Sequence, residues 1–332
     1  MPEKIAKIAQ SAILDNVFPG CVIGIARSFD SETLVLPFGT LAYDSEKKVT
    51  EDTLYDMASV TKSIPLAALA HIYIAQGKLN LTDLVRTYIP ELRKDRAATI
   101  QDLLLYKVHG EPLSLLAHLS AKEITLRVFE QGFPELRGEP QYSNLPAFLL
   151  SIILERITGK GLAEQGDAVL FAPLGMTHTG FFPTAPNSEI APTEIVDGKE
   201  IRGIVHDESA RAFASEGIAV GHAGLFSTVP DMLLFLRALL SGKYPEVVGG
   251  AQKGLGWQLN QKYFMGKRFG PRTFGKTGFT GASVVSDTDR GIALVILSNR
   301  TYPKRPSDSY DIKSAINTFR SDVADIVFNR LS

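Results

Sequence analysis

Residues 56–64, "DMASVTKSI", set a hydroxyl and an amine three positions apart among small and apolar side chains. The fold turns on this stretch. Before it the sequence reads as strands, and from Ser59 to about residue 245 it reads mainly as helices. A helix starting at Ser59 puts residues i and i+3 on one face, so Lys62 lies beside the Ser59 hydroxyl. Such a start also leaves the Ser59 N–H without an intrahelical acceptor, available to a developing oxyanion. Spacing alone is weak, because Ser45 and Lys48 repeat it in the polar run "DSEKK", which reads as a surface loop.

Working outward, "MPEKIAKIAQSAILDNVF" is an amphipathic helix with Ile5, Ile8, Ala12 and Val17 near one face. "CVIGIAR" and "ETLVLPFGTLAY" are strands separated by the turn "SFDS". After Ser59 come "SVTKSIPLAALAHIYIAQG", with Pro65 positioned to kink it, then "LTDLVRTYI" and "TIQDLLLY", the latter on a Thr cap. "LPAFLLSIILERITG" and "VPDMLLFLRALLSG" end on Gly159 and Gly242. A long proline-bearing connection follows residue 179 and runs to about 215, the kind that often lines a site. Strand patterns return in "RTFGKTGFTGASVVSD" and "GIALVILSNR", and "SAINTFRSDVADIVFNRL" closes the chain as a helix with Ile316, Phe319, Val323, Ile326 and Val327 on one side. The expectation is one α/β (α+β) sheet domain from residues 1–58 and 246–332, with a mainly helical domain, 59–245, inserted and the site at their interface.

The 332 residues carry 35 Lys and Arg against 36 Asp and Glu, a net charge of −1, which gives no electrostatic reason to expect nucleic acid as a partner. A single cysteine, Cys21, excludes an intramolecular disulfide and reads as a buried thiol in its apolar run. No stretch approaches the roughly 18 apolar residues of a membrane span, and the N-terminus lacks the pattern of a signal peptide. The expected location is therefore cytoplasmic if Met1 is the native start, and periplasmic or secreted if a leader was removed.

Serine is a weak nucleophile that needs an adjacent base, and a lysine serves as base only when burial or a nearby cation lowers its pKa. Met57, Ala58, Val60 and Ile64 supply apolar surroundings for Lys62. Two further groups join it. "QYSNLPAFLL" holds Tyr142 and Asn144 just before an apolar helix that Asn144 is placed to cap. "FGKTGFTG" holds Lys276, Thr277 and Gly278 in a strand, with a glycine that lets a substrate backbone approach. Taken singly, Tyr142 is a packing aromatic and Lys276 a strand residue.

In the order Ser-x-x-Lys, Tyr-x-Asn, Lys-Thr-Gly, these groups resemble the three signatures of the serine β-lactamase and penicillin-binding protein superfamily. The Tyr form is similar to the class C β-lactamase branch, with its D-Ala-D-Ala carboxypeptidases and family VIII esterases. "FPGCVIGIAR", "LFAPLGMTHTGF", "GIVHDESARAF", "GHAGLFSTVPDMLLF" and "GFTGASVVSDTDRGIALVILSNR" extend the resemblance over most of the chain. It implies a β-lactamase/transpeptidase-like fold, an antiparallel sheet flanked by the terminal helices. It also implies a metal-free, cofactor-free serine hydrolase acting through an acyl-enzyme on a β-lactam, ester or D-amino-acid peptide. Ser59 is then the nucleophile, with Lys62 and Tyr142 sharing the proton traffic and either one open as the acylation base. Asn144 orients Lys62 and holds the substrate amide. Lys276 and Thr277 bind a substrate carboxylate, Lys276 lowers the pKa values of Lys62 and Tyr142, and the N–H of Phe279 completes the oxyanion site with that of Ser59. A penicillin-binding sensor without turnover and an inert homologue stay open. Where relatives carry a "THTSG"-like turn this chain has "LYKVHGEPLS", which leaves acyl side-chain preference open. His206-Asp207 and His222 suggest a Ser-His-Asp triad, but without a Gly-x-Ser-x-Gly elbow His222 reads as structural or pocket wall, and no two histidines have metal-ligand spacing on one helix.

Overall fold

A computed structural model describes residues 1–28, 33–133, 135–136, 139–306 and 314–330. Residues 29–31 of the expected "SFDS" turn and Leu331 of the last segment lie outside them. Six strands form an antiparallel sheet: β1 (Gly20–Arg27), β2 (Leu34–Gly39), β3 (Gln258–Leu259), β4 (Phe274–Thr277), β5 (Ser283–Asp287) and β6 (Ile292–Ser298). Their order is β2-β1-β6-β5-β4-β3. The two ends of the chain meet directly in the sheet, with Val22 opposite Leu297 and Ile23 opposite Ile296. The stretch 272–287, expected as one strand pattern, is two strands joined by a hairpin at 278–282.

Strands β1 and β6 are covered on both faces, which is why they read as unbroken apolar runs. Alternate residues serve different cores. Cys21, Ile23 and Ile25 pack with α1 (Pro2–Leu14) and the C-terminal helix (Ala315–Arg330), through Ile5, Ala9, Phe319, Val323 and Val327. Ile8, Val17 and Ile326 are only partly buried there, and α1 stops at Leu14 rather than running to Val17. Val22 and Ala26 face a second core, shared with the helical region. A helix at Val229–Leu240 lies on that face, and Gly24 admits it: a Cβ there would stand 2.3 Å from Val229 Cγ1.

The segment from Ser59 is not one α-helix. After Tyr55–Asp56, which pairs with Phe226–Ser227, a 3₁₀ turn covers Ala58–Lys62 and a π turn covers Ser63–Ala67. Only then does α2 (Ala68–Ala75) begin. Pro65 is the cause: it lacks an N–H and restricts the residue before it, and Ile64 is extended at φ −125°, ψ 112°. The window 58–75 is by length and average composition comparable to a membrane-spanning helix, though Ser59, Thr61, Lys62, Ser63 and His71 interrupt its apolar residues. However, 83% of it is buried inside the protein, as core. Further on, Thr99 and Asp102 form the capping box of helix Ile100–Leu104, and helix Leu145–Thr158 ends at Gly159 in the left-handed conformation. A helix at Ala121–Gln131, absent from the sequence expectations, carries its own Ser120–Glu123 capping box.

Candidate active site

The 3₁₀ turn aligns the motif more directly than an α-helix would, because three residues per turn eclipse positions i and i+3. Lys62 Nζ donates to Ser59 Oγ at 2.8 Å and to the His222 carbonyl at 2.7 Å. Lys62 is 1% exposed, and Ser59 is half-buried at the mouth of a cavity. Upstream, Ala58 takes φ +45°, a strained value for a side-chain-bearing residue. Asp56 supports it by accepting from the Ala58 N–H at 2.7 Å and the His206 N–H at 2.8 Å. Burial pushes the Asp56 carboxyl up, and those two donors oppose the shift.

The cavity, of about 220 Å³, brings Ser59, Tyr142, Lys276, Thr277 and Phe279 together. Lys62 Nζ stands 5.1 Å and Lys276 Nζ 4.8 Å from the centroid of the Tyr142 ring. Burial lowers the Lys62 pKa to about 7, while the Asp207 charge pulls it back up. Lys276, 1% exposed, is held well below its ordinary value by burial first and by the charge of Lys62 second. Tyr142 is 43% exposed overall, yet enclosure of its hydroxyl pushes its pKa above the usual phenol range, against a contact with Ser59. Two expectations are thereby corrected. The Tyr142 pKa is raised rather than lowered, and the depression of Lys62 comes from burial rather than from Lys276.

The remaining motif residues also find specific partners. Gly278 serves the protein backbone rather than a substrate: a Cβ there would stand 2.4 Å from the Met57 carbonyl. The hairpin after β4 therefore presses on the turn that carries Ser59, and Thr280 Oγ1 donates to the Asp56 carbonyl at 2.7 Å to hold it there. Thr277 lines the cavity beside Gln258, whose Oε1 accepts its N–H at 3.2 Å. The Phe279 ring stacks on His206, centroids 5.6 Å apart. Asn144 stands at the N-cap position of its helix but makes no side-chain cap. Nor does it share a hydrogen bond with Lys62 among the described residues; its amide donates to Asp207 Oδ2 at 3.0 Å.

Four groups were not anticipated. Tyr106, in the segment that departs from the "THTSG"-like pattern, accepts from Lys276 Nζ at 3.1 Å and lies 5.4 Å from the Tyr142 ring. It sits at φ +56°. Arg300, Asn317 and Arg320 also line the cavity. Arg320 donates to the carbonyls of Gly278 (3.1 Å) and Ala282 (2.8 Å), and burial lowers its pKa to about 9. The sequence did hold one signal for it: on the last helix Arg320 falls between Ile316 and Val323 on the apolar face. No Asp or Glu lines this cavity among the described residues, and the charged side chains that do are Lys276, Arg300 and Arg320. A larger cavity of about 790 Å³ lies between residues 47–54 and 177–189, away from Ser59. The Ser59 hydroxyl and the buried Lys62 amine meet at the smaller one. Among the described residues no group of three or more His, Cys, Asp or Glu is arranged to hold a metal ion.

Comparisons with known proteins bear on the family and the fold. The family model described as Beta-lactamase matches residues 15–316. A protein of Salmonella gallinarum (strain 287/91 / NCTC 13346) described as "Putative D-alanyl-D-alanine carboxypeptidase" is 30% identical over 340 residues, covering 84% of this chain and 75% of the relative. A protein of Salmonella newport (strain SL254) with the same description matches at the same identity and coverage. Among solved structures, "EstCE1, a hydrolase with promiscuous acyltransferase activity" superposes with a TM-score of 0.75 over 98% of both chains at 20% identity, which bears on the fold alone.

Proposed function

Because the chain belongs to the beta-lactamase family of hydrolases, we propose that it is a serine hydrolase that forms an acyl-enzyme on Ser59, with Lys62 as the acylation base. The observation that carries this reading is the 2.8 Å contact between Ser59 Oγ and a buried lysine whose pKa falls to about 7. Near neutrality a substantial share of Lys62 is then unprotonated and able to take the serine proton. As Ser59 Oγ bonds to the substrate carbonyl carbon, the oxyanion rests on the N–H groups of Ser59 and Phe279. Tyr142, a neutral phenol at this pH by the direction of its shift, passes its proton to the leaving group and regains one from Lys62. Water then attacks the ester, which releases the acid and restores Ser59.

The basic side chains that line the cavity, Lys276, Arg300 and Arg320, favour substrates bearing a carboxylate near the scissile carbonyl, as in a peptide ending in D-Ala-D-Ala or a penicillin. The test is to incubate the protein separately with such a peptide, with benzylpenicillin and with p-nitrophenyl acetate. Product release and the adduct mass, mapped to a peptide, are followed in each. The expected result is turnover with a transient adduct on Ser59. An adduct on another residue, or none with any of the three, overturns the reading. A burst without steady-state product identifies a sensor instead.

A further inference from the structure

Asp207, in the long connection before the helix Glu208–Ala214, joins three parts of the chain around Lys62. Its Oδ2 accepts from Asn144 of the Tyr-x-Asn motif at 3.0 Å. Its Oδ1 accepts from Ser209 Oγ at 2.7 Å and from the Ala210 N–H at 2.9 Å, and lies 3.5 Å from His222 Nε2. His222 is fully buried and works from both ends: its imidazole meets Asp207 and Ser209, and its carbonyl accepts from Lys62. We propose that Asp207 is a positioning residue for the Ser59–Lys62 pair, locking Asn144 and His222 in place around the lysine. The inference rests on the acyl-enzyme reading above and goes beyond it, because the base is then set by a carboxylate that touches neither Ser59 nor substrate.

The electrostatics point the same way. Burial alone would raise the Asp207 carboxyl, but contact with His222, Ser209 and the Ala210 N–H outweighs it and keeps Asp207 ionised. That charge opposes the burial that lowers Lys62. The other charged or titratable groups around the pair are Tyr142 and Lys276 on the cavity side, His222 behind Lys62, and Asp56, which holds the His206 N–H. Burial pushes Lys62 toward its neutral form, and the Asp207 charge is the counterweight that keeps the amine from losing its proton still further below its ordinary value.

The test compares Asp207→Asn and Asp207→Glu with the unchanged enzyme, reading kcat/KM for the neutral ester p-nitrophenyl acetate between pH 5 and 10. Ser59 acylation is confirmed by mass in each. Losing the charge lowers the Lys62 pKa, so in Asp207→Asn the acid limb should move down by about one pH unit. At pH 5.5 the variant would then keep about tenfold more of its own plateau rate than the unchanged enzyme keeps of its own. Asp207→Glu, which retains the charge, should leave the limb in place while lowering the plateau. Asp207→Ser also caps the helix, and serves if Asp207→Asn does not fold, with the same downward shift expected. An acid limb that stays put in the neutral variants, with only the plateau reduced, makes Asp207 merely structural and overturns the inference alone. Absence of a Ser59 adduct in the unchanged enzyme overturns the acyl-enzyme reading and this inference with it.

Discussion

Ser45–Lys48 and Ser59–Lys62 share a spacing and nothing else. Ser45 Oγ accepts the Lys47 N–H at 3.1 Å in a local turn, and Lys48 is exposed and bridges Thr40 in extended backbone. Ser45 therefore belongs to a turn and Lys48 to an isolated bridge, and no single element sets the two on one face. Ser59 and Lys62 stand in a 3₁₀ turn that eclipses them, inside the protein, with the amine bonded to a hydroxyl and a carbonyl. The contact between hydroxyl and amine comes from backbone form and burial rather than from spacing.

The strongest way to break the contrast is Ser59→Ala. If Ser59 alone is the nucleophile, turnover should fall by about 10⁴-fold or more, and no adduct should form. Met57, not Ser59, holds the N-cap position of the turn, so the thermal midpoint should stay close to that of the unchanged protein. An adduct appearing on Ser45 in this variant would erase the distinction between the two sites.

Lys62→Met keeps the length and the apolar fit while removing the base, and a loss of about 10²- to 10⁴-fold in acylation rate is expected. The pH profile carries more information. Burial lowers Lys62 to about 7, so the unchanged enzyme should gain activity as pH rises through about 7, as the amine loses its proton, and then level off. A rise centred near the ordinary lysine value would mean that Lys62 is no more a base than Lys48.

Lys276 sharpens the comparison by separating charge recognition from base chemistry. A charge-assisted hydrogen bond contributes roughly 1.5–3 kcal/mol, so Lys276→Ala should slow carboxylated substrates such as penicillins about tenfold to a hundredfold more than neutral esters. Some general loss should accompany it, because Lys276 also holds Tyr106 beside the Tyr142 ring. Equal loss for acidic and neutral substrates would leave Lys276 as an electrostatic tuner of Lys62.

Features written in local pattern were legible in the sequence: the apolar runs of β1 and β6, the Thr99 cap, the Gly159 stop and the three motifs. Features decided by what the chain meets elsewhere were not. Asn144 has the residue type and the position of a helix cap, yet a carboxylate 63 positions on takes its amide. Gly278 was read as room for a substrate, whereas its neighbour is the Met57 carbonyl. Ser59 reads as the start of an α-helix kinked at Pro65, but the residues before Pro65 form a 3₁₀ turn, which aligns the pair better. Arg320 lies on the apolar face of an otherwise ordinary amphipathic helix, and a buried charge there was a signal within reach. Asp207 and His222 were weighed against a triad template they do not fit, which hid their place around the lysine.

The smallest expected effect tests the other half of the comparison. Ser45→Ala removes one local acceptor from an exposed turn, and Lys48→Ala removes an exposed side chain outside the Ser59 cavity. Surface changes of this kind usually stay within about 0.5 kcal/mol. Each should therefore leave the thermal midpoint, the Ser59 adduct and kcat/KM for p-nitrophenyl acetate within about twofold of the unchanged protein. Lys48 does line the larger cavity between residues 47–54 and 177–189, so the pair is silent only if that cavity takes no part in ester turnover. A loss beyond tenfold in Lys48→Ala, with the Ser59 adduct still formed, would connect the two cavities in function. The exposed copy of the motif would then matter through its place on a cavity wall, and still not through its spacing.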